Sequence, residues 1–416
     1  MIPRNIRLAG LLCAALLIVA NASGEGWTRF RGPGGSGISQ TAFPAQWSVD
    51  DYAWTTKLPD KGHSSPVIWE KQVYVTSANQ ESGACAILSI DTANGRILWR
   101  QNYKVTPIRQ HDMNSYAAST PAVDEVGVCG IFAGERYVVF SVDHDGNKLW
   151  ERDFGPMALR HGPGTSPILV DGLVVFTFEQ EENELGLASR WIALERNTGR
   201  MRWQLKRDPV PHTSNSTPFV FEQDGQKQII FSSYAHGITA VNPKNGEILW
   251  EQPGALSARA VSSPVLAGDL VIATCGAGGR GKQMAAVSPP EAPGQGPSLK
   301  YINNEKIVPY CPTPVAKDGR LYLLHDSGIL SCLESATGKT RWTESLGGKF
   351  FTSPVIFGDM IYCINTEGEV FVYKNADEPT PLATNELGEA TQATPAVADG
   401  SMFIRTKTKL MCLTTK

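Results

Sequence analysis

The chain has 416 residues, of which 42 % are hydrophobic and 19 % are charged. This composition is typical of globular proteins and excludes a disordered or fibrous chain. Lys and Arg number 38 against 41 Asp and Glu, a net charge of −3, so the chain lacks the basic excess that nucleic-acid binding requires.

The first 22 residues have the pattern of a secretory signal peptide. Arg4 and Arg7 precede an apolar run from Leu8 to Ala20, and Ala20-Asn21-Ala22 supplies a cleavage pattern of small residues. The run is too short to cross a bilayer comfortably, and no later stretch resembles a transmembrane span. Cys13 follows the bulky Leu12, which disfavours lipidation at that position. We therefore expect cleavage near Ala22 and a periplasmic or secreted protein.

Seven cysteines follow the signal peptide, with no adjacent pair and no CxxC motif. Cys332 and Cys412 lie within apolar, strand-like runs, where cysteine is most often a small buried side chain. One or two disulfides are compatible with an oxidising compartment, but the odd number predicts at least one free thiol.

A small-small-Pro signature followed by an apolar run recurs eight times along the chain. The eight prolines are Pro66, Pro121, Pro167, Pro218, Pro264, Pro314, Pro354 and Pro395. Consecutive prolines are 40–55 residues apart, which is about the length of one four-stranded propeller blade. The repeat predicts an all-β, eight-bladed β-propeller with four-stranded antiparallel blades, forming a single domain over residues 23–416.

A second signature places a Trp four residues after a Gly turn. The pairs are Gly95/Trp99, Gly146/Trp150, Gly199/Trp203, Gly246/Trp250 and Gly338/Trp342. A recurring Trp on the outer strand can cover the interface between neighbouring blades, so we interpret these residues as structural rather than as ligand platforms. The fifth blade, with a Pro-rich run, and the seventh blade lack the pair.

The ends of the chain complement each other. The last repeat stops without a Trp-bearing strand, whereas residues 52–56 carry an orphan one around Trp54. Pairing this N-terminal strand with the last blade would close the ring and remove both sheet edges. On this hypothesis, residues 23 to about 50 run over the outside of the propeller.

These repeats resemble the pyrroloquinoline quinone (PQQ) repeat family over residues 27–416. That family includes quinoprotein alcohol dehydrogenases and the assembly factor BamB, and the resemblance implies an eight-bladed propeller. The entry segment Trp27-Thr28-Arg29-Phe30-Arg31-Gly32-Pro33 is similar to a subgroup of exported PQQ-like proteins common in planctomycete-type bacteria.

The quinoprotein resemblance would imply a vicinal Cys pair, a Trp floor, a calcium ion on Glu, Asn and Asp oxygens, and an Asp base. The sequence has no adjacent cysteines and no CxxCH motif for haem, so a function that depends on PQQ and calcium is kept as the alternative.

Two other motifs resemble known ligand sites. Gly276-x4-Gly281-Lys282 resembles a P-loop, but Gln283 replaces the required Ser or Thr. Asp143-His144-Asp145-Gly146 is interpreted as a hairpin turn rather than a calcium loop. No catalytic constellation is recognisable.

One set of polar residues remains, at the start of the inner strands around one mouth of the channel. It consists of His63, Asn114, Tyr116, His161, His212, Asn215, Arg259, Tyr310, Lys349 and Gln392, together with Phe351. Convergent polar side chains around a concavity are what a ligand site needs. The competing interpretation is that they bond to neighbouring turns and line a wet channel. A metal site formed by His63, His161 and His212 is disfavoured, because their blades are apart.

The sequence therefore predicts a non-catalytic, exported binding scaffold, similar to BamB. It would recognise a protein segment or a small ligand at the channel mouth, without nucleic acid, and act as a monomer. A PQQ- and calcium-dependent oxidoreductase is the alternative.

Overall fold

A computed structural model describes residues 26–158, 161–183, 186–208, 212–292 and 294–415. The predicted signal peptide, residues 1–22, lies outside the described residues. In the described part of the chain, no helix is both long enough and apolar enough to span a membrane.

Eight sheets contain the 33 strands of the described residues, and each sheet is one blade with four antiparallel strands. Blades 1 and 2 contain β3 (Val67–Trp69), β4 (Gln72–Ala78), β5 (Ala84–Asp91), β6 (Ile97–Lys104), β7 (Ala122–Asp124), β8 (Gly127–Ala133), β9 (Arg136–Val142) and β10 (Lys148–Pro156). Blades 3 and 4 contain β11 (Ile168–Val170), β12 (Leu173–Phe178), β13 (Ser189–Glu195), β14 (Met201–Arg207), β15 (Phe219–Gln223), β16 (Gln226–Ser233), β17 (Gly237–Val241) and β18 (Ile248–Gln252).

Blades 5 and 6 contain β19 (Val265–Ala267), β20 (Leu270–Ala277), β21 (Arg280–Ser288), β22 (Ser298–Asn303), β23 (Val315–Lys317), β24 (Arg320–Leu324), β25 (Ile329–Glu334) and β26 (Thr340–Ser345). Blade 7 contains β27 (Val355–Phe357), β28 (Met360–Ile364), β29 (Glu369–Lys374) and β30 (Pro381–Glu386), and β1 (Ile38–Ser39) joins it in parallel. Blade 8 contains β31 (Ala396–Ala398), β32 (Ser401–Arg405), β33 (Lys409–Thr414) and β2 (Tyr52–Lys57). Two short 3₁₀ helices span Pro33–Gly35 and Val49–Asp51. The predicted eight-bladed propeller is confirmed.

The ring is closed as predicted. Strand β2 pairs antiparallel with β33, and Trp54 lies opposite Cys412. The Trp54 indole then donates a hydrogen bond to the carbonyl of Thr92 in blade 1, at 2.9 Å. One strand from the beginning of the chain thus completes blade 8 and contacts blade 1.

Four indoles dock on a glycine of the following blade. Trp54, Trp99, Trp150 and Trp203 lie against Gly95, Gly146, Gly199 and Gly246, where a Cβ atom would approach the ring to 2.6–2.7 Å. Each of these glycines also has a positive φ, which other residues adopt with strain. The Gly and Trp signatures therefore act across the interface between blades, which explains why both recur.

The two irregular blades use substitutes for this contact. In blade 5, Tyr301 covers Gly338 of blade 6, and its hydroxyl donates to the carbonyl of Ser335 at 2.8 Å. In blade 7, Trp47 from the N-terminal segment is buried with its ring 6.3 Å from that of Tyr362. The Trp47 amide donates to Asn385 Oδ1 at 2.8 Å. Blade 7 thus takes its aromatic cover from outside its own repeat.

A closed circle of hydrogen bonds surrounds the channel axis. In each blade, the residue just before the Pro donates its backbone N–H to the hydroxyl of the equivalent residue in the next blade, at 2.9–3.2 Å. The eight residues of this hydroxyl ring are Ser65, Thr120, Ser166, Thr217, Ser263, Thr313, Ser353 and Thr394. The Ser/Thr-Pro signature is therefore explained by a bond that joins consecutive blades, including the eighth to the first.

The expectation that residues 23 to about 50 run over the outside is wrong for the part around Arg29 and Arg31. Arg29 Nη2 donates to the carbonyl of Pro218 in blade 4, at 2.7 Å. Arg31 donates to the carbonyls of Pro314 and Pro354, each at 2.8 Å. These prolines directly follow the hydroxyl ring, so the segment crosses the channel beneath it. The two guanidinium groups are held there by carbonyls of three different blades.

The core consists of apolar clusters between consecutive blades rather than one central cluster. Six of the seven described cysteines are buried in these layers and Cys311 is half-buried; all seven are free thiols. Burial raises the pKa of the Cys129 thiol to about 11, so that thiol is protonated at neutral pH.

Candidate functional site

One mouth of the channel opens into a cavity of about 400 Å³. All eight hydroxyls of the ring line it, so every blade contributes to its wall. Seven of the ten predicted site residues also line it, together with Phe351: His63, Asn114, His161, Asn215, Arg259, Tyr310 and Gln392. The strands bring these residues together because each lies a few positions before its Ser/Thr-Pro signature.

Three predicted residues lie elsewhere. The Tyr116 side chain is buried, and its hydroxyl bonds to the backbone N–H and C=O of Ile108, at 2.8 and 2.9 Å. His212 is exposed and does not line the cavity. Lys349 is exposed and lines an adjoining cavity of about 730 Å³ instead. Tyr116 therefore has the structural role of holding a loop.

The floor of the cavity is formed by the hydroxyl ring and by Phe30 of the N-terminal segment. Phe30 lies between Arg29 and Arg31, whose bonds to the proline carbonyls fix the segment across the channel. The segment thus places a partly exposed aromatic ring at the end of the cavity.

Arg259 is the cation of the cavity wall. Its Nε donates to the carbonyl of Thr213 at 2.5 Å, and its Nη1 donates to the hydroxyl of Tyr310 at 3.4 Å. Among the described residues, none accepts a hydrogen bond from Nη2. Burial raises the pKa of Tyr310, while the nearby Arg259 charge acts in the opposite direction. The guanidinium is therefore rigidly held, with one nitrogen left for a ligand.

His63 lies on the opposite side of the ring, near blade 8. Burial lowers the pKa of His63 to about 3, and the charges of Arg405 and Lys407 act in the same direction. The His63 imidazole is thus neutral at physiological pH. Its buried Nδ1 has no hydrogen-bond partner among the described residues.

Asn215 and Gln392 present amides to the cavity, and no described residue bonds to either side chain. Asn114 differs, because its Nδ2 donates to the carbonyls of His161 and Pro163, at 2.7 and 3.1 Å. Asn114 therefore holds the loop of blade 3 in place. Asn215 and Gln392 are the amides that remain able to bind a ligand.

Several lining residues were not predicted from the sequence. His111 and Met113 come from the long connection between β6 and β7, and the His111 ring stacks on His161 with a centroid distance of 6.0 Å. Gly278 and Gly279 form the tip of the β20–β21 hairpin, and Cys311 follows Tyr310. Their loops have no repeat signature, so the periodicity could not place them.

The adjoining cavity shares His111, Met113, Gly279 and Phe351 with the first. Among the described residues that line it, the only carboxylate is that of Asp326, which accepts the backbone N–H groups of Tyr310 at 2.7 Å and Cys311 at 3.0 Å. Burial raises the pKa of Asp326, an effect that these bonds oppose. Asp326 thereby orients the Tyr310 segment.

The residues of these cavities do not fit a calcium-bound quinone. Calcium requires several oxygen ligands, commonly carboxylates. Among the described residues, no Asp or Glu lines the first cavity, and both Asp326 oxygens in the second already accept backbone N–H groups. In the described part of the chain, no three His, Cys, Asp or Glu residues are grouped as metal ligands.

Comparison with solved structures gives the same architecture. BamB from Moraxella catarrhalis superposes with a TM-score of 0.60 at 12 % identity, covering 88 % of this chain and 97 % of that one. Quinohemoprotein alcohol dehydrogenase from Comamonas testosteroni superposes with a TM-score of 0.64 at 12 % identity, covering 94 % and 81 %. The computationally designed protein Ika8 has a TM-score of 0.58 at 11 % identity, covering 88 % and 99 %. At such identities the similarity concerns the fold alone.

Comparison at the sequence level identifies the family, which the structural similarity does not. No match was found among curated proteins. A family model described as "Outer membrane protein assembly factor BamB" matches residues 87–274 and 306–380, which together are more than half of the chain. The matched residues include the Ser/Thr-Pro and Gly-Trp signatures of blades 2–4. The chain therefore belongs to the BamB-like family of PQQ-repeat β-propellers.

Proposed function

We propose that this protein is a non-catalytic, exported binding propeller whose ligand site is the cavity at the channel mouth. One observation carries the proposal: the cavity combines a rigid cation, Arg259, with amides at Asn215 and Gln392 that bond to no described residue. Polar groups that merely stabilised the turns would be bonded to them, as Asn114 and Tyr116 are.

The size of the cavity suits a small ligand or the end of a protein segment. Its volume of about 400 Å³ is within the range of about 300–1,000 Å³ that is common for ligand pockets. Phe30, Phe351 and Met113 supply apolar contact, and the hydroxyl ring supplies polar contact at the floor. A partner could enter only from the open mouth, because the N-terminal segment crosses the other side.

The family supports a binding role. The family model describes an outer membrane assembly factor, which favours a protein partner. The expected signal peptide would place the protein in the periplasm or outside the cell. We propose that it acts as a monomer, since the ring is complete within one chain.

The alternative, a PQQ- and calcium-dependent oxidoreductase, rests on the fold shared with quinohemoprotein alcohol dehydrogenase. The described residues of the channel-mouth cavity provide no carboxylate for calcium, so we favour binding without catalysis. Adding PQQ with calcium and measuring both the Tm and dye reduction with simple alcohols separates the two functions. A Tm increase with dye reduction would favour the oxidoreductase.

The binding proposal is tested by a Tm screen with a library of small molecules and short peptides. We expect compounds that raise the Tm of the full chain to lose this effect in Gln392→Ala and Asn215→Ala. Gln226→Ala, at an exposed hairpin of blade 4, is the matched control and should behave like the parent. The proposal is wrong if no compound raises the Tm, or if the effects persist in both cavity variants.

A further inference from the structure

Four buried arginines surround the channel, and none of them has a carboxylate partner among the described residues. Arg29, Arg31, Arg259 and Arg405 are 8 %, 1 %, 6 % and 0 % exposed. Among the ion pairs of the described residues, none involves any of the four. Elsewhere the chain does pair a buried arginine, since Arg196 contacts Asp124 at 2.7 Å. Among the described residues, the buried arginines that lack a carboxylate partner are therefore the four at the channel.

The four guanidinium groups bond instead to neutral oxygens. Arg29 and Arg31 donate to proline carbonyls below the ring, and Arg405 Nη1 donates to the carbonyl and hydroxyl of Ser64 at 3.0 and 2.5 Å. Arg405 Nε and Nη2 are buried and have no hydrogen-bond partner in the described part of the chain. Such bonds satisfy donors but leave the net charge in place, and an uncompensated buried charge is unfavourable.

More positive charge lies at the entrance. Arg280, Lys306 and Lys349 line the adjoining cavity, against the single carboxylate of Asp326. Because the whole chain carries a net charge of −3, this excess of cations is local. A concave site with charge of one sign and apolar walls concentrates the field and attracts ions of the opposite sign.

We propose that the ligand of the channel-mouth cavity is an oxyanion, bound through a carboxylate, phosphate or sulfate group. This inference rests on the proposed binding function and names the class of ligand. The anion would accept hydrogen bonds from Arg259 Nη2 and from the amides of Asn215 and Gln392. It would also place a negative charge beside Arg259, the one of the four arginines that lines the cavity.

Isothermal titration of the full chain tests the proposal. The anionic probes are citrate, inorganic phosphate, sulfate and a short poly-glutamate peptide; glucose and putrescine are the neutral and cationic probes. The peptide distinguishes a protein source of carboxylates from small acids. We expect at least one anion to bind with saturation, and its affinity to fall as NaCl is added.

Arg259→Gln should weaken that affinity by about ten- to a hundredfold, the usual loss for one hydrogen bond to a charged group. Arg202→Gln, an exposed arginine of β14, makes the same charge change away from the cavity and should have no effect. If Arg259→Gln fails to fold, Gln392→Ala and the NaCl dependence give the same information.

Two results would overturn the inference. If glucose or putrescine binds and loses affinity in Gln392→Ala, while no anion binds, the cavity is a binding site but not for anions. If no probe of any charge binds, both the inference and the evidence for a small-ligand site are lost.

Discussion

The indole of Trp54 lies directly on Gly95, so that a residue of the N-terminal strand closes the interface between blade 8 and blade 1. A Cβ atom at Gly95 would approach the Trp54 ring to 2.6 Å. The same contact recurs at three further interfaces, but only here does it join the two ends of the chain. Trp54 and Gly95 therefore add a packed contact to the strand pairing and the hydroxyl-ring bond that close the ring.

Gly95→Ala should destabilise the protein more than Gly172→Ala. Both glycines have φ of +73°, so both substitutions introduce backbone strain of about 1–3 kcal/mol. Only at Gly95 does the added methyl group also meet Trp54, because Gly172 has no atom within 4 Å of that position. Urea unfolding measures the difference. Equal losses of stability would show that the indole does not dock there.

Thr120→Val should cost about 1–3 kcal/mol, because it leaves the buried N–H of Ser65 without an acceptor. Thr120→Ser keeps the hydroxyl and is the control; it should lose much less. Free energies of unfolding from urea curves provide the comparison. If Val and Ser substitutions have the same effect, the hydroxyl ring contributes nothing to the cohesion of the blades.

Arg31→Ala should destabilise the protein by about 3 kcal/mol or more, since it removes charged hydrogen bonds to both Pro314 and Pro354. Arg202→Ala, on the exposed face of an outer strand, should change stability by no more than about 0.5 kcal/mol. A stability of Arg31→Ala equal to that of the parent would mean that the N-terminal segment does not anchor beneath the ring.

The stability of the protein should fall in acid partly because of His63. Burial lowers the pKa of His63 in the folded protein to about 3, whereas an exposed histidine has a pKa of about 6.5. Below pH 6.5 the unfolded chain therefore takes up a proton that the folded chain refuses, and unfolding becomes more favourable. Above pH 6.5 the two states bind equally few protons at this site.

His63→Asn removes this linkage. Between pH 6.5 and pH 5 the parent should lose up to about 2 kcal/mol more stability than the variant, from about 1.4 kcal/mol per pH unit. Urea midpoints at the two pH values measure this difference. If the parent and the variant respond to pH alike, His63 takes up its proton normally in the fold.

The repeat predicted the blades because its signatures are physical joints between neighbours. Thr120 bonds to the next blade at the hydroxyl ring, and Trp99 docks on a glycine of the next blade, so both recur with the period of the fold. The aromatic residues that replace this Trp in blades 5 and 7 do not follow the period. Tyr301 takes its place in blade 5, and Trp47 reaches blade 7 from the N-terminal segment. Sequence periodicity could not indicate either.

The candidate site was predictable only as far as its residues follow the repeat. Asn215 and Gln392 were found because they precede a Ser/Thr-Pro signature, whereas His111 belongs to a connection without one. Tyr116 satisfies the same positional rule but turns inward to the backbone of Ile108. The channel-crossing role of Arg31 depends on carbonyls of blades 6 and 7, which are far away in sequence.

A crystal structure of the full chain with citrate, at a concentration chosen from the titration, tests the central claim most directly. The claim predicts a citrate carboxylate above the hydroxyl ring, within hydrogen-bond distance of Arg259 Nη2. A cavity occupied only by water, with citrate bound elsewhere on the propeller, would contradict it.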